Sequence, residues 1–163
     1  MVVVLGIDPG TAHTGFGVVF ARGSALAALD GGVLQTDSHE TLEGRLAQIH
    51  GHVAELIERH EPDAVAVEDL FFGQNARSAF AVGQARGVTL LAAGQAGVPC
   101  FSYTPQAVKQ AVCGNGRAQK DQVQRMVGAL LKLTAPPEPD HAADALAVAI
   151  CHANGAVLRA ALA

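Results

Sequence analysis

The chain has 163 residues, of which half are hydrophobic and three are cysteines, and its formal net charge is −4 at pH 7. This length and apolar content predict one folded domain, residues 1–163, with a substantial core. An odd cysteine count without metal-ligand spacing argues against structural zinc and indicates a reducing compartment. The first apolar run is too short for a signal peptide, so we expect a cytoplasmic protein. Glycines and prolines break the longest uncharged stretch, residues 87–108, so no membrane span is expected.

The charge is distributed unevenly along the chain. Residues 1–69 hold eleven acidic and three basic residues, whereas residues 70–132 hold a single acidic residue, Asp121. We call residues 70–132 the basic segment; its basic residues are Arg77, Arg86, Lys109, Arg117, Lys120, Arg125 and Lys132. Such a surface can bind a polyanion even though the whole molecule is negative, and the alternative is an ordinary solvated face.

The chain opens with an apolar, β-branched run, residues 2–7, which predicts a strand buried on both faces and therefore central in a sheet. Asp8 ends this run, where the tight turn Asp8-Pro9-Gly10 begins. A carboxylate beside a core is costly to ionise unless another charge compensates it, and a metal ion is one such compensation. The alternative is that Asp8 only initiates the turn.

Short connections follow the first strand. Residues 15–20 and 26–36 predict two more strands, the second interrupted near residues 30–32 by a bulge. Because the connections are short, the three strands are expected to be antiparallel neighbours. Apolar residues at helical spacing then predict a helix over residues 40–60, whose histidines we interpret as solvated.

Residues 63–69 predict a fourth strand that resembles the first, since its apolar run also ends in acid, at Glu68. A helix separates it from the antiparallel strands, so a right-handed crossover should make it parallel to the first strand. Asp8 and Glu68 are therefore expected at the same edge of the sheet, where they converge if the two strands are adjacent.

The second half of the chain is mostly helical in pattern. Helices are predicted over residues 76–95, 105–113, 119–133 and 140–159, with a fifth strand over residues 98–103. The first of these helices is rich in small residues such as Gly83, Gly87 and Ala93, so it is a candidate packing or dimer face. The whole order predicts an α/β fold, in which helices flank a mixed five-stranded sheet of three antiparallel and then parallel strands.

A third acidic patch, Asp140-His141-Ala-Ala-Asp144, lies in the first turns of the last helix. We interpret Asp140 as an N-cap, whereas Asp144 needs no cap and precedes almost wholly apolar turns. Three separate segments thus supply Asp8, Glu68 and Asp144, with His141 alongside, and such oxygen-rich sets suit Mg²⁺ or Mn²⁺. Because two such ions support in-line phosphoryl displacement, the residues favour metal-dependent phosphodiester chemistry.

Seven short segments occur in order over nearly the whole chain: Ile7–Thr11, Val67–Glu68, Asn75–Ala79, Gly83–Gly87, Val108–Gln110, Gln122–Val123 and Ala142–Leu146. Together they resemble the RuvC family of Holliday junction resolvases. The resemblance implies the ribonuclease H-like fold, in agreement with the strand order above. It also implies a homodimer that nicks two opposing strands of a four-way DNA junction, in recombination and repair, with Mg²⁺ or Mn²⁺ and two ions per site.

The resemblance carries residue roles over by position. Asp8, Glu68 and Asp144 match the metal-binding carboxylates of the family, and His141 falls where many members carry an aspartate. We expect His141 to be the fourth ligand, with a shifted preference towards Mn²⁺, or a proton-transfer group. The neighbouring Asp140 is the alternative source of the missing carboxylate.

The resemblance also implies DNA contacts. Lys109 and Lys120 match family lysines near the cleaved phosphate, where a cation offsets developing charge, and the alternative is that they are plain solvated lysines. Phe71 matches an aromatic residue that contacts bases at the opened crossover. Arg77 and Arg117 of the basic segment complete the expected DNA-binding set.

Two competing functions remain open. An actin-like or sugar-kinase-like nucleotide-phosphate enzyme also uses Asp-x-Gly-Thr after a first strand, but it needs two related halves and this chain has one. A non-catalytic junction-binding module predicts loss of the acidic residues, which are all present. For the resolvase, an isologous dimer would supply two sites, and residues 76–95 are the candidate interface. The family further implies a branch-migration motor as partner.

Overall fold

The computed structural model describes residues 1–69 and 75–162. Within them the elements are β1 (Val2–Asp8), β2 (His13–Arg22), β3 (Ala25–Gln35), α1 (Leu42–His60), β4 (Ala64–Glu68), α2 (Ala76–Gln95), β5 (Cys100–Tyr103), α3 (Pro105–Cys113), α4 (Lys120–Leu130) and α5 (Asp140–Leu162). The predicted order of strands and helices is confirmed. The predicted DNA contact Phe71 lies outside the described residues.

The five strands form one mixed sheet in the order β3-β2-β1-β4-β5. The first three strands are antiparallel neighbours, and β4 and β5 continue the sheet parallel to β1, as predicted. Because β1 is central, its alternate side chains enter two cores: Val4 packs on the side of α3, α4 and α5, whereas Leu5 and Ile7 pack on the side of α1 and α2. All three side chains are fully buried.

Glycines let α5 approach the sheet closely. A β-carbon at Gly15 would lie 2.0 Å from the carbonyl oxygen of His141, and one at Gly6 would lie 2.0 Å from that of Ala145. At Gly17 the added atom would meet the Leu146 side chain at 2.6 Å. The α5 backbone therefore lies directly on β1 and β2, and this contact sets the position of its first turns at the edge of the sheet.

The structure corrects several details of the sequence prediction. The expected interruption of β3 is a one-residue bulge at Leu29, because Val18 pairs with Asp30 while Val19 pairs with Ala28. β5 begins at Cys100 rather than at residue 98, since Pro99 has no N–H to donate to the sheet. α4 ends at Leu130 rather than at residue 133, because the next residues close the helix and Lys132 takes a left-handed conformation.

The interpretation of the α1 histidines as solvated is wrong for two of them. The Nε2 atom of His60 lies 2.8 Å from a carboxylate oxygen of Asp30, and the His60 side chain is only 14% exposed. His52 packs its ring edge-on against Phe16. Both histidines face β2 and β3, which the local helical pattern could not show.

None of the helices in the described part of the chain has the length and apolar character that a membrane span requires.

Candidate active site

The ends of β1 and β4 bring two carboxylates together. Ile7 and Val67 are partners in the parallel register, so the next step along both strands places Asp8 beside Glu68. This is the convergence that the two acid-terminated strands predicted. Both side chains remain partly exposed at the edge of an otherwise buried sheet centre.

The turn after Asp8 is held by backbone and threonine contacts. Thr14 donates its hydroxyl to the carbonyl oxygen of Gly10 at 2.6 Å, and Thr36 donates to that of Thr11, also at 2.6 Å. A β-carbon at Gly10 would lie 2.4 Å from a backbone oxygen of His13, so only glycine fits there. The Asp8 carboxylate is instead directed towards α5, which argues against a role confined to the turn.

The first turn of α5 supplies His141 to Asp8. The Nδ1 atom of His141 lies 2.8 Å from a carboxylate oxygen of Asp8. On its other side the His141 ring is stacked on His13, with ring centroids 5.4 Å apart and planes within 7°. Sequence analysis missed His13. The signal was present, since His13 and Gly15 lie two residues apart on the face of β2 that α5 covers, but it required knowing where α5 docks.

Lys120, the first residue of α4, reaches the carboxylates of α5. Its Nζ atom lies 3.1 Å from a carboxylate oxygen of Asp140 and 3.8 Å from one of Asp144. Gln124 donates its side-chain amide to the other oxygen of Asp140 at 2.6 Å. The interpretation of Asp140 as an N-cap is wrong, because Asp140 is the first residue of α5 and its carboxylate bonds to two side chains of α4.

A cavity of about 210 Å³ opens between β4, α3, α4 and α5. Its charged lining is two carboxylates and two lysines, which are Glu68, Asp144, Lys109 and Lys120. The rest of its described lining is apolar or proline: Pro105, Val108, Val123 and Ala147. Glu68 at the end of β4, Asp144 in α5 and two lysines of the basic segment therefore face one space. Asp8 lies beside Glu68 at the end of the neighbouring strand.

Burial and mutual repulsion disfavour the ionised carboxylates. Burial, reinforced by the charges of Asp8 and Asp144, raises the pKa of Glu68 to about 7. Burial also raises the pKa of Asp8, although its hydrogen bond with His141 and the charges of His141 and Lys120 oppose the shift. For Asp144, burial and the Asp8 charge raise the pKa against the opposing charge of Lys120. A cation placed among these groups would relieve the repulsion.

The donor chemistry fits a hard divalent cation, because three clustered carboxylates and one imidazole offer oxygen and nitrogen ligands. Within residues 1–69 and 75–162, no group of three or more His, Cys, Asp or Glu side chains is arranged to hold a metal ion. The contacts above explain this, since Asp8 is bonded to His141 and Asp144 is paired with Lys120. Metal binding would require these side chains to exchange partners.

Two predicted DNA contacts lie away from this cluster. Arg77 is exposed in the first turn of α2, where its N–H donates to the Asn75 side chain. Arg117 is exposed in the loop between α3 and α4. Neither is among the described residues that line the cavity, so their roles stay predictions.

The chain is similar to a family of nucleases over most of its length. The sequence model of the family described as crossover junction endodeoxyribonuclease RuvC matches residues 4–152. The crossover junction endodeoxyribonuclease RuvC of Moorella thermoacetica is 55% identical over 157 residues, which cover 96% of this chain and 94% of that protein.

Solved structures agree with this similarity. The Thermus thermophilus RuvC structure in complex with Holliday junction substrate is 44% identical, with a TM-score of 0.94 over 98% of this chain and 97% of the other. The yeast mitochondrial Holliday junction resolvase Ydc2 is only 13% identical but has a TM-score of 0.66 over 96% of this chain and 82% of the other. The latter likeness concerns the fold alone.

Proposed function

The chain belongs to the RuvC family of crossover junction endodeoxyribonucleases, and from that premise we propose that it resolves four-way DNA junctions by paired, symmetric phosphodiester hydrolysis. One observation connects this function with particular residues of the chain. Asp8, Glu68 and Asp144, from three separate elements, meet beside two lysines at one edge of the sheet. The proposal treats residues 1–163 as a single nuclease domain.

Each charged residue has a role that its position supports. Lys109 and Lys120 line the same cavity as Glu68 and Asp144, so their ammonium groups can offset the negative charge that develops on a phosphate during hydrolysis. The His141 ring is oriented by its contact with Asp8, which leaves its second ring nitrogen available as a ligand or for proton transfer. Arg77 and Arg117 would bind the DNA backbone outside the site.

We propose Asp8, Glu68, His141 and Asp144 as the ligands of Mg²⁺, with Mn²⁺ as the alternative and two ions per site. When bound, such ions would supply activation of water and stabilisation of the leaving oxygen. The raised pKa values of the three carboxylates support this assignment, because a divalent cation would offset the cost of burying their charge and, at Glu68 and Asp144, the repulsion that adds to it.

We further propose a homodimer that pairs through α2. Phe80 is 70% exposed and Leu91 is 52% exposed on one face of this helix. On the same helix, β-carbons at Gly87 and Gly94 would meet no atom within 4 Å, so packing among the described residues gives no reason for these glycines. A second copy of the chain could approach this face closely. A branch-migration motor and a cytoplasmic location complete the proposal, both in keeping with an enzyme that acts on DNA.

Cleavage of a synthetic mobile four-way junction tests the function. The junction and a linear duplex of the same sequence would be incubated with Mg²⁺, with Mn²⁺ or with neither. We expect metal-dependent paired nicks on the junction alone, lost in Asp8→Asn and retained in Asp121→Asn, an exposed aspartate of α4. Junction binding without cleavage in either metal would favour a non-catalytic binding module. Failure of the wild-type chain to bind or cleave the junction would refute the proposal.

A further inference from the structure

The ammonium of Lys120 stands between two acidic partners of different kinds. Asp144 is a proposed metal ligand that is 30% exposed, whereas Asp140 lies outside the ligand set and is 58% exposed. The shorter contact is with Asp140, at 3.1 Å against 3.8 Å. Lys120 is therefore held principally by the carboxylate that the proposed site does not use.

Asp140 is itself held in place by α4. One of its oxygens pairs with Lys120 and the other accepts the amide of Gln124, one helical turn further along α4. The three side chains form a bridge between α4 and α5, which we call the Asp140 bridge.

An ion pair this exposed contributes little to folding, so its effect should be sought in the geometry of the site. An ammonium that pairs with Asp144 competes with any divalent cation for the same carboxylate. In the absence of Asp140, Asp144 would be the remaining acidic group in contact with Lys120 among the described residues. Lys120 would then move onto the ligand that the cation needs.

We propose that Asp140 is a positioning residue: by holding the Lys120 ammonium at the shorter distance, it weakens the contact between Lys120 and Asp144 and so lets a divalent cation displace that contact. The inference rests on the proposed function, since it assumes the metal site of that proposal. It assigns to Asp140 neither the cap predicted from the sequence nor the place of a missing ligand.

A simpler effect has to be separated from this one. The negative charge of Asp140 would attract a cation through space even if Lys120 were not involved. The two effects differ in their dependence on Lys120, because positioning disappears when the ammonium is removed and through-space attraction does not. A double-mutant cycle on residues 120 and 140 measures this difference.

The experiment measures Mn²⁺ binding to the full chain without DNA, by electron paramagnetic resonance of the free ion. Asp144→Asn locates the binding at this site. We expect Asp140→Asn to weaken binding about tenfold, and less than twofold when Lys120→Met is already present. Gln124→Leu, which releases one side of Asp140, should weaken binding by an intermediate factor. Asp121→Asn removes another exposed aspartate, which belongs to α4 and is paired with Arg125, and should leave binding unchanged.

The other possible outcomes would contradict either the positioning role of Asp140 or the metal site itself. Equal weakening by Asp140→Asn in both backgrounds would mean through-space attraction and would overturn the inference alone. No weakening in either background would also overturn it. If wild type bound no Mn²⁺, the metal site of the proposed function would fall, and the inference with it. If wild type bound Mn²⁺ and Asp144→Asn bound it equally, the ion would lie elsewhere and both would again fail.

Junction cleavage provides a second, independent readout. If Asp140 acts on cation binding, Asp140→Asn should slow cleavage at low Mn²⁺ and approach the wild-type rate as Mn²⁺ is raised. A slow rate that persists at saturating Mn²⁺ would place Asp140 in the chemical step and contradict the positioning role.

Discussion

His13 shows how a single side chain can orient a proposed catalytic group without joining it. Its ring is stacked on His141, whose Nδ1 atom contacts Asp8 on the other side. The hydrogen bond fixes one ring nitrogen, and the stack fixes the plane of the ring. The backbone of His13 is in turn fixed by the close approach of its carbonyl oxygen to Gly10. Orientation of a ligand by such neighbours commonly affects metal affinity and activity.

Replacement of His13 tests this orienting contact. His13→Ala should lower the single-turnover rate of junction cleavage by roughly tenfold, because the His141 ring loses its stacking partner. His13→Phe retains a flat ring and should keep most of the rate, which separates stacking from any hydrogen bond that His13 makes. A loss of equal size in both variants would show that the imidazole nitrogens of His13, rather than its ring face, are what the site requires.

At the scale of elements, the site depends on how closely α5 lies on the sheet. Gly6, Gly15 and Gly17 have no side chains of their own, so α5 can lie close to the two strands beneath it at these positions. His141 and Asp144 lie in the first turns of that helix, so the same contact that packs the core also places two proposed ligands against Asp8. Stability and activity are therefore coupled at these glycines.

Gly15→Ala tests the close contact between β2 and α5, as distinct from the general effect of replacing a glycine. Its β-carbon would meet a backbone oxygen of His141, which cannot move without moving α5. We expect the free energy of unfolding in urea to fall by about 1–3 kcal/mol, as for other overpacked sites. Junction cleavage should fall as well, even under conditions in which the variant remains folded.

Gly51→Ala is the matched control for that change. Gly51 is exposed within α1, and a β-carbon there would meet nothing within 4 Å. Alanine should stabilise the helix by about 0.5–1 kcal/mol and leave cleavage unchanged. Wild-type stability and cleavage in Gly15→Ala would show that α5 can shift freely, against the coupling argued here.

The sequence predicted how the strands bring residues together, but not how the helices do. Asp8 and Glu68 were placed together correctly, because strand ends, crossover direction and apolar runs are local signals with strong geometric consequences. The partners of Asp140 were not predicted, because α4 and α5 meet only through the packing of two helices joined by a proline-rich loop. His60 was misread for the same reason, since its partner Asp30 lies on a strand 30 residues away.

At the scale of the whole molecule, the sheet order separates the proposed site from the proposed dimer face. The proposed site lies where the neighbouring strands β1 and β4 end. The helix α2 packs on the face of the sheet opposite to the face that α5 covers. Two lysines of the basic segment, Lys109 of α3 and Lys120 of α4, line the proposed site, while most acidic residues precede β5 in the chain. Two copies joined through α2 would present two separate sites to one junction, as symmetric cleavage requires.

Leu91→Arg tests the dimer and its consequence together. Leu91 lies on the exposed face of α2, so an arginine there should prevent close approach of a second copy without disturbing the core. We expect light scattering to report a monomer for the variant and a dimer for wild type. On a supercoiled plasmid that extrudes a cruciform, wild type should make two coupled cuts and release linear DNA. The monomeric variant should accumulate nicked circles, because one chain carries one site.

Leu42→Arg is the control, since Leu42 is also an exposed leucine at 42% but lies at the start of α1, outside the proposed interface. It should remain dimeric and make linear product. A dimeric Leu91→Arg would place the interface elsewhere on the surface. A monomeric variant that still produced linear DNA at the wild-type rate would instead mean that paired cutting needs no dimer, because two chains could then act independently on the two strands.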